Sequence, residues 1–450
     1  ERELTQLLDM LHPGRAATLV AVGGMGKTAL AVEALYNLPQ TRFPDGIFFH
    51  TFYHQPQAAV CLERICRAFG REPLPDPLQA AGMALADRKA LLVLDGAEQA
   101  DDLRPILNVA GECGVLITTR RRSDAPNYQY FLELKPLAEE QSLSLLQQWG
   151  QECAADEAAG KAVIQITGGL PLAIRLVGRY LRGQNQSAGA YLAWLGTTPL
   201  EALEQGQRQL ESVPLLLARS LEALPEAAAQ VLALMGVLAY APLPLELLEP
   251  ALGLGPPEER RLLEGLLDYG LLLRRQPGDP LLELAHPLVH TYASRRLSVP
   301  LEAPARLAGH LNGVFEEQTP QGAKAFPRLE QYRPHLLALQ GWLLEQKQWQ
   351  VVMDITWAVD KYLDLSGHWA ERISSLQAGH QAAVGAQERR TQGAFLNQMG
   401  LAYLALSQVA QAINGAVERG EAGACYPIGG ENLSWEQLLA HITRFGCRQK

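Results

Sequence analysis

The chain has 450 residues, of which 48% are hydrophobic and 19% charged, enough for roughly three or four domains that each bury a core of their own. Its net charge of -9 argues against a broad nucleic-acid surface, and no apolar run reaches the roughly 18 residues of a membrane span. The six cysteines contain no CxxC pair, which predicts a reducing, cytoplasmic compartment and no structural zinc site. The start at Glu1, without methionine, indicates a fragment or a processed form.

Five short apolar runs mark the first 135 residues, with helical patterns between most of them. The runs are 18–22, 47–52, 91–95, 115–119 and 131–134. Strands that alternate with helices form parallel sheets covered on both faces. The third run, LLVLD, shows no alternation of polar and apolar residues, as expected of a strand buried on both sides. The sequence therefore predicts a five-stranded parallel sheet.

A glycine-rich stretch, AVGGMGKTAL at residues 21–30, follows the first run and opens a helix. Its glycines let the backbone curl so that N–H groups point at an anion, and the helix N-terminus adds partial positive charge. Lys27 can reach the β- and γ-phosphates of a nucleotide, and the Thr28 hydroxyl can ligate Mg²⁺. Ala21 departs from the motif, which usually begins with glycine. The predicted nucleotide-binding residues of this loop are Gly23, Gly24, Met25, Gly26, Lys27, Thr28 and Ala29.

Asp95 ends the third strand and favours a phosphate site over an ordinary glycine-rich turn. Its carboxylate is expected at the edge of the sheet beside the phosphates, where it can hold Mg²⁺ through water. The next residue is Gly96, where strong P-loop hydrolases usually have a second acid that polarises the attacking water. Glu98 is near in sequence, but its direction stays open. We therefore expect slow hydrolysis, which favours a switch over a motor.

Arg120 follows the fourth strand, VLITT, and is expected at the same edge of the sheet. A planar guanidinium there would pair well with the oxygens of a γ-phosphate. The alternative is a solvated basic turn. With the loop and Asp95 nearby, we interpret Arg120 as a phosphate sensor and Arg121 and Arg122 as surface residues. Lys27, Asp95 and Arg120 are the predicted catalytic residues.

A series of motifs in a fixed order resembles the NB-ARC branch of the STAND signal-transduction ATPases. The motifs are ERELTQL, VAVGGMGKTALA, LLVLDGAE, VLITTR, FLELKPLAEEQSLSLL, GGLPLAI and HPLVHTYA. The resemblance spans residues 1 to about 300. It implies an α/β P-loop nucleotide-binding domain at 1–135, a small helical domain at 136–205 and a winged-helix domain at 206–300, closed around ADP at rest. The implied cofactors are ATP or ADP with Mg²⁺.

The resemblance also assigns two residues outside the first domain. Pro171, in GLPLA, would line the nucleotide pocket, although a proline at this point also suits the first turn of a helix. His286 would contact the β-phosphate of ADP. The family's Met-His-Asp triplet reads Ala285-His286-Pro287 here, so the histidine is kept and the aspartate lost. His290 lies four residues later, but no third metal ligand is evident.

Residues 206–300 show no basic recognition helix. From Glu211 to Arg296 there are 11 acidic and 7 basic residues, a balance of -4, which favours a regulatory lid over DNA binding. Residues 301–407 look like tetratricopeptide helices, since Gly367 and Gly400 are 33 residues apart and the repeat has 34. Stacked helices of this kind would bind a protein or a peptide. An ordinary helical bundle is the alternative.

The tail at 408–450 is similar to the C-terminal part of extended short-chain dehydrogenases and sugar epimerases. A strand-and-turn motif of the Y-x-IGGEN-S type carries this similarity, and Ser434 and Gln437 fit a capping box for a last helix. A nicotinamide oxidoreductase is therefore a rival interpretation. No GxxGxxG loop opens the first strand, and none of the 13 tyrosines has a lysine four residues later. We interpret the tail as the remnant of a fusion or a frameshift.

The sequence therefore predicts a molecular switch in signal transduction. The resemblance implies that it is closed with ADP at rest and self-associates through its nucleotide domains when ATP is bound. The principal alternative is a helical-repeat scaffold that holds a nucleotide without cycling. An oxidoreductase remnant is the third possibility.

Overall fold

The computed structural model describes residues 1–405 except 54, 75, 127, 198–207, 275 and 277, together with the backbone of 425–428 and 431–434. The first segment contains a five-stranded parallel sheet in the order β2-β3-β4-β1-β5. Its strands are β1 (Ala16–Val20), β2 (Ile47–Thr51), β3 (Leu91–Asp95), β4 (Gly114–Thr119) and β5 (Phe131–Glu133). The predicted sheet is confirmed. The first strand ends two residues earlier than predicted, because residues 21 and 22 already belong to the glycine-rich loop.

Helices cover both faces of this sheet. They are α1 (Arg2–Met10), α2 (Lys27–Asn37), α3 (Ala58–Ala68), α4 (Pro77–Leu85) and α5 (Arg104–Val109). Every residue of β3 and β4 is buried, as their apolar runs predict. Alternate residues of β3 enter two different cores, since Leu92 and Leu94 pack with α3 and α4 whereas Leu91 and Val93 pack with α1 and α2.

The next segment consists of helices. They are α6 (Glu139–Gly150), α7 (Glu157–Thr167), α8 (Pro171–Gln184), α9 (Ala188–Thr197) and α10 (Arg208–Glu222). Pro171 occupies the first turn of α8, where its missing N–H group costs nothing. Helices α6 and α8 approach closely at Gly178, where an added Cβ atom would lie 2.7 Å from the Cβ of Trp149. This contact fixes α8 in place beside the glycine-rich loop.

A third segment combines helices with a small antiparallel sheet. Its helices are α11 (Glu226–Val237), α12 (Leu248–Leu252), α13 (Pro256–Asp268) and α14 (Pro287–Arg296). Its strands are β6 (Leu243–Pro244), β7 (Leu272–Leu273) and β8 (Leu281–Leu284), in the order β6-β8-β7. Strand β8 ends one residue before Ala285 and His286, and α14 begins directly after them.

Five long helices follow, and they confirm a helical region after the third segment. They are α15 (Glu302–Gln318), α16 (Phe326–Glu345), α17 (Trp349–Leu365), α18 (Trp369–Gly385) and α19 (Arg389–Ala405). Helices α17 to α19 begin 20 residues apart, and left-handed turn residues recur at Lys347, Gly367 and Gln387. The predicted 33-residue spacing was wrong as a marker of the repeat. Gly367 lies in a turn, whereas Gly400 lies inside α19.

Two strands of the tail, β9 (Cys425–Ile428) and β10 (Glu431–Ser434), pair in antiparallel fashion. The predicted last helix, which begins near Gln437, lies outside the described residues. Among the helices that the structure describes, none combines the length and the apolar composition needed to cross a bilayer.

Candidate functional site

The glycine-rich loop joins β1 to α2 at the carboxyl edge of the parallel sheet. Gly24 and Gly26 have φ angles of 82° and 94°, a region that side chains other than glycine rarely adopt. Gly26 is the residue before the first turn of α2, so the free N–H groups of that turn face the loop. A loop of this shape at a helix N-terminus can bind an anion.

Lys27 is buried and bends back over the loop. Its Nζ donates to the carbonyl oxygens of Ala21 at 2.8 Å and of Val22 at 3.3 Å. Burial lowers the pKa of Lys27 to about 8, although the nearby carboxylate of Glu98 acts in the opposite direction. The ammonium is thus held beside the backbone that would surround a phosphate.

Asp95 lies at the end of β3 and is 4% exposed. Its Oδ1 accepts hydrogen bonds from the hydroxyls of Thr28 at 2.8 Å and Thr118 at 2.6 Å. Thr118 also accepts a bond from the Gly96 N–H at 3.0 Å, so it orients the carboxylate from behind. Burial raises the pKa of Asp95, and the two hydroxyl donors oppose that rise. The fold therefore brings together Thr28 and Asp95, the two residues predicted to hold Mg²⁺.

Arg120 lies beside the loop and pairs with Glu98. Its Nε is 2.9 Å from Oε1 of Glu98, and its backbone N–H donates to Oε2 at 3.1 Å. Tyr53 donates its hydroxyl to the same carboxylate at 3.0 Å. A Cβ atom added at Gly23 would lie 3.3 Å from the guanidinium carbon of Arg120. Glu98, whose direction the sequence leaves open, thus points into this site.

The other two arginines of the RRR stretch have exposed side chains. The side chain of Arg121 is 55% exposed and that of Arg122 is 64% exposed, against 30% for Arg120. Arg122 pairs with Glu133 at the surface. This difference in exposure separates Arg120 from its two neighbours, in agreement with the interpretation of the sequence.

A cavity of about 490 Å³ lies over the loop, and residues of all three segments line it. Most of the predicted site residues form its walls, namely Gly23, Gly24, Gly26, Lys27, Thr28, Ala29, Asp95, Pro171 and His286. Met25 instead packs into the apolar core, and Arg120 lies behind Gly23 rather than in the cavity wall. The cavity is large enough for a small-molecule ligand.

His286 enters this cavity from the third segment. It precedes the first turn of α14, and its Nδ1 accepts the backbone N–H of Leu288 at 3.0 Å. Burial lowers the pKa of His286 to about 3, and the cations Arg175, Arg120 and Lys27 lower it further. The ring is therefore neutral near pH 7. Because Nδ1 accepts a hydrogen bond, the proton sits on Nε2, which can act as a donor.

His290 has a structural environment. Its Nε2 lies 2.9 Å from the carbonyl oxygen of Leu238, and its ring meets that of Tyr240 edge-on. In the described part of the chain, no three residues among His, Cys, Asp and Glu cluster in a way that could hold a metal ion. A Mg²⁺ ion near Thr28 and Asp95 would thus take its other ligands from phosphate and water.

Arg175 lines the cavity one turn after Pro171, and the sequence analysis missed it. Burial lowers its pKa, and its buried Nε has no hydrogen-bond partner among the described residues. Its charge acts on His286 across the cavity. The only sequence signal for Arg175 is its place in the GLPLAIR stretch. That stretch does not reveal that the side chain lies on the wall of the cavity. A partly buried cation with an unused donor on a cavity wall is suited to an anion.

A backbone hydrogen bond joins the loop to α8. The N–H of Leu172 donates to the carbonyl of Gly24 at 3.2 Å. At Gly24, an added Cβ atom would lie 3.0 Å from the Cβ of Leu172. The phosphate loop and the helical segment are therefore in direct contact.

The chain is similar to the Regulatory protein AfsR of two Streptomyces species. It is 28% identical over 311 residues to that of Streptomyces coelicolor, which is 65% of this chain and 31% of the relative. It is 26% identical over 289 residues to that of Streptomyces griseus, which is 62% of this chain and 29% of the relative. The chain thus spans about three tenths of the length of these relatives. No protein-family model matches it.

Two solved structures from Pyrococcus species are similar to the chain at 14% identity. One is a STAND protein with a tetratricopeptide repeat sensor from Pyrococcus horikoshii, with a TM-score of 0.47 over 93% of this chain and 77% of that one. The other is a Walker-type ATPase of Pyrococcus abyssi, with a TM-score of 0.33 over 65% of this chain and 95% of that one. The motif series and the parallel sheet with its glycine-rich loop fit the STAND signal-transduction ATPases, and the AfsR relatives are regulatory proteins by name.

Proposed function

We propose that the chain is a nucleotide-controlled switch, closed with ADP and Mg²⁺ at rest and opened by ATP. The observation that carries this proposal is the cavity over the phosphate loop, because three segments of the chain line it together. A ligand in such a cavity contacts all three segments at once. It can therefore shift their arrangement by its different affinity for the closed and open forms.

In this proposal the first segment binds the phosphates and the metal. The N–H groups of the loop and the ammonium of Lys27 surround the β-phosphate. Thr28 and Asp95 supply hydroxyl and carboxylate oxygens, which are the ligands that Mg²⁺ prefers. Bound Mg²⁺ would neutralise charge on the phosphates. Asp95, held by two hydroxyls, stays in place to receive it.

The other two segments supply the contacts that depend on the nucleotide. His286 offers a neutral Nε2–H donor to the β-phosphate, as the family resemblance implies. Arg175 offers a guanidinium whose Nε donor is unused, and we assign this group to the γ-phosphate, the terminal phosphate of ATP. ADP and ATP differ in charge and length at this end. The contact of Arg175 would thus change with the state of the nucleotide.

Hydrolysis is expected to be slow because of the place of Glu98. Its carboxylate is engaged by Arg120 and Tyr53, so it is not free to accept a proton from water. Release of Glu98 from Arg120 would free both a base and a sensor for the γ-phosphate. We propose that this exchange accompanies activation and self-association of the nucleotide segments. The helical region at 301–407 would then bind the protein or peptide that triggers it.

The test starts with the nucleotide carried by the purified chain, released by denaturation and resolved by chromatography. Near-stoichiometric ADP is expected, together with its loss in Lys27→Ala. Binding of ATP with neither turnover nor a change of size in light scattering would favour the non-cycling scaffold. An empty site that takes up neither ADP nor ATP would overturn the proposal, and binding of NAD(P)H would revive the oxidoreductase.

Arg175→Met tests the assignment of the terminal phosphate. The loss of a charged hydrogen bond, about 1.5–3 kcal/mol, should weaken ATP binding by roughly tenfold or more, and ADP binding less. Arg182→Met is the matched control, since Arg182 lies on the same helix with an exposed side chain. Equal losses for ATP and ADP would contradict the assignment of Arg175 to the terminal phosphate.

A further inference from the structure

A second cavity, of about 670 Å³, lies between the first segment and the helical region. Strand β2 and helix α3 form one wall, and α16, α17 and the turn before α18 form the other. It is separate from the cavity over the phosphate loop, with Phe49 on β2 as the only lining residue that the two share. Its volume lies in the range of small-molecule sites.

Hydrogen bonds connect the two walls beside this cavity. Arg67 of α3 donates to the carbonyl of Gly367 and contacts Nδ1 of His368 at 3.3 Å. Glu63 accepts the backbone N–H of Ala370 at 2.9 Å, at the start of α18. An occupant of the cavity would therefore touch two segments that are already in contact.

The glutamates at this junction are already engaged. Glu330 accepts hydrogen bonds from the Tyr362 hydroxyl at 2.7 Å and from His368 at 3.0 Å, and it pairs with Arg333. Arg333 also pairs with Glu371. Each of these carboxylates thus has a direct partner other than Arg64, although the charges of Glu330 and Glu371 also act on Arg64.

Arg64 is the cation that remains. Its Nη1 donates to Nδ1 of His50 at 2.9 Å and to Oε1 of Gln55 at 3.3 Å. Because arginine only donates, Nδ1 of His50 is an acceptor and that ring is neutral. No carboxylate of the described residues lies within ion-pair distance of Arg64, and burial lowers its pKa.

The formal charges at the junction balance, but one of the carboxyls is only partly ionised. Three arginines face three glutamates, namely Arg64, Arg67, Arg333, Glu63, Glu330 and Glu371. Burial raises the pKa of Glu63 to about 7, so this carboxyl carries only part of its charge near neutral pH. The junction therefore carries a fraction of one positive charge near neutral pH.

Apolar side chains form the mouth of the cavity. Ile47, Phe49 and Leu365 are 48%, 37% and 52% exposed, large values for such residues. Phe326 lines the same side as Leu365. Three guanidiniums line the cavity, and that of Arg64 has no carboxylate within ion-pair distance among the described residues. Together with the apolar entrance, this group is suited to an apolar molecule that carries a single negative charge.

We propose that this cavity binds a small carboxylic acid with an apolar body, its carboxylate on Arg64 and its body against Phe49, Phe326 and Leu365. Such a ligand would strengthen the contact between the nucleotide segment and the helical region. The proposal does not depend on the nucleotide site, because none of the residues assigned to phosphate or metal takes part.

Isothermal titration of the full chain with decanoate tests the proposal, with decanol as the uncharged probe. Decanoate should bind at one site, and Arg64→Met should weaken it by roughly tenfold, as the loss of one charged contact predicts. Decanol should bind equally to both proteins. Arg71→Met is the matched control, since Arg71 is exposed and outside the cavity. Circular dichroism checks the fold of each variant.

A second variant tests the place of binding without changing a charge. Ala68 is an exposed residue of α3 on the rim of the cavity, and Ala68→Trp should also weaken decanoate by blocking the entrance. Absence of decanoate binding at millimolar concentration would overturn the proposal. So would equal affinities in wild type, Arg64→Met and Ala68→Trp, since decanoate would then bind elsewhere.

Discussion

Thr118 is fully buried behind the carboxyl edge of the parallel sheet, and the substitution Thr118→Val removes its hydroxyl while keeping its shape. Two hydrogen bonds are lost, the donation to Asp95 at 2.6 Å and the acceptance from the Gly96 N–H at 3.0 Å. The bond to a charged group contributes about 1.5–3 kcal/mol, and an unpaired buried N–H costs about 1–3 kcal/mol. Since the two losses share one atom, we expect the free energy of unfolding to fall by about 3 kcal/mol.

Urea denaturation followed by circular dichroism measures this change, with Thr118→Ser as the control. Serine keeps the hydroxyl and loses only a methyl group, so it should cost about 1 kcal/mol. The Thr118 hydroxyl also holds down the pKa of Asp95, so Mg²⁺-dependent nucleotide binding should weaken in the valine variant. Valine and serine variants of equal stability would refute the reasoning, because the two hydrogen bonds would then contribute nothing.

Three further predictions concern other parts of the site. His286→Ala should speed the exchange of bound ADP by roughly tenfold through loss of its Nε2–H donor, and unchanged exchange of a fluorescent ADP analogue would contradict the proposed contact of His286 with the β-phosphate. Burial raises the pKa of Glu63 to about 7, so the contribution of this carboxyl to the free energy of unfolding should be full below about pH 4.5 and fall as the pH rises through 7. Glu63→Gln should remove this part of the fall in urea denaturation at a series of pH values, and an unchanged pH dependence would assign it to another group. Gly96→Ala should lower the free energy of unfolding by about 2 kcal/mol or more in urea denaturation, because φ is 71° and the added Cβ would lie 2.5 Å from the ring of Tyr53. Gly14→Ala is the control, since Gly14 has a φ of 70° but open space around it, and it should cost only about 1 kcal/mol.

The sequence was sufficient to predict the parallel sheet, the glycine-rich loop and the pairing of Thr28 with Asp95. These features depend on local patterns and on one topological rule, that parallel strands end at the same edge. Asp95 and Thr28 are 67 positions apart, yet both follow directly from strand ends and helix starts. Local periodicity was therefore enough to predict that these two residues lie close together.

Arg175, Glu98 and Arg64 could not be placed in this way. Their roles depend on how separate segments pack, for example α8 against the loop or α3 against the helical region. Sequence patterns within one helix do not contain that information. The predicted spacing of the helical repeat was wrong for a related reason, because the sequence does not distinguish a glycine in a turn from a glycine inside a helix. Only the structure separates Gly367 from Gly400.

The contact between Gly24 and Leu172 bears on how inactive variants of this chain should be chosen. A side chain at position 24 would disturb anion binding and, at the same time, push α8 away from the loop, because the backbones are joined there. In the proposed switch, a glycine-loop variant would therefore resemble the activated protein while lacking its nucleotide, and an assay of signalling output would confuse the two states. Lys27→Ala removes the proposed phosphate contact and keeps the hydrogen bond between Leu172 and Gly24. It is therefore the better reference for a nucleotide-free protein.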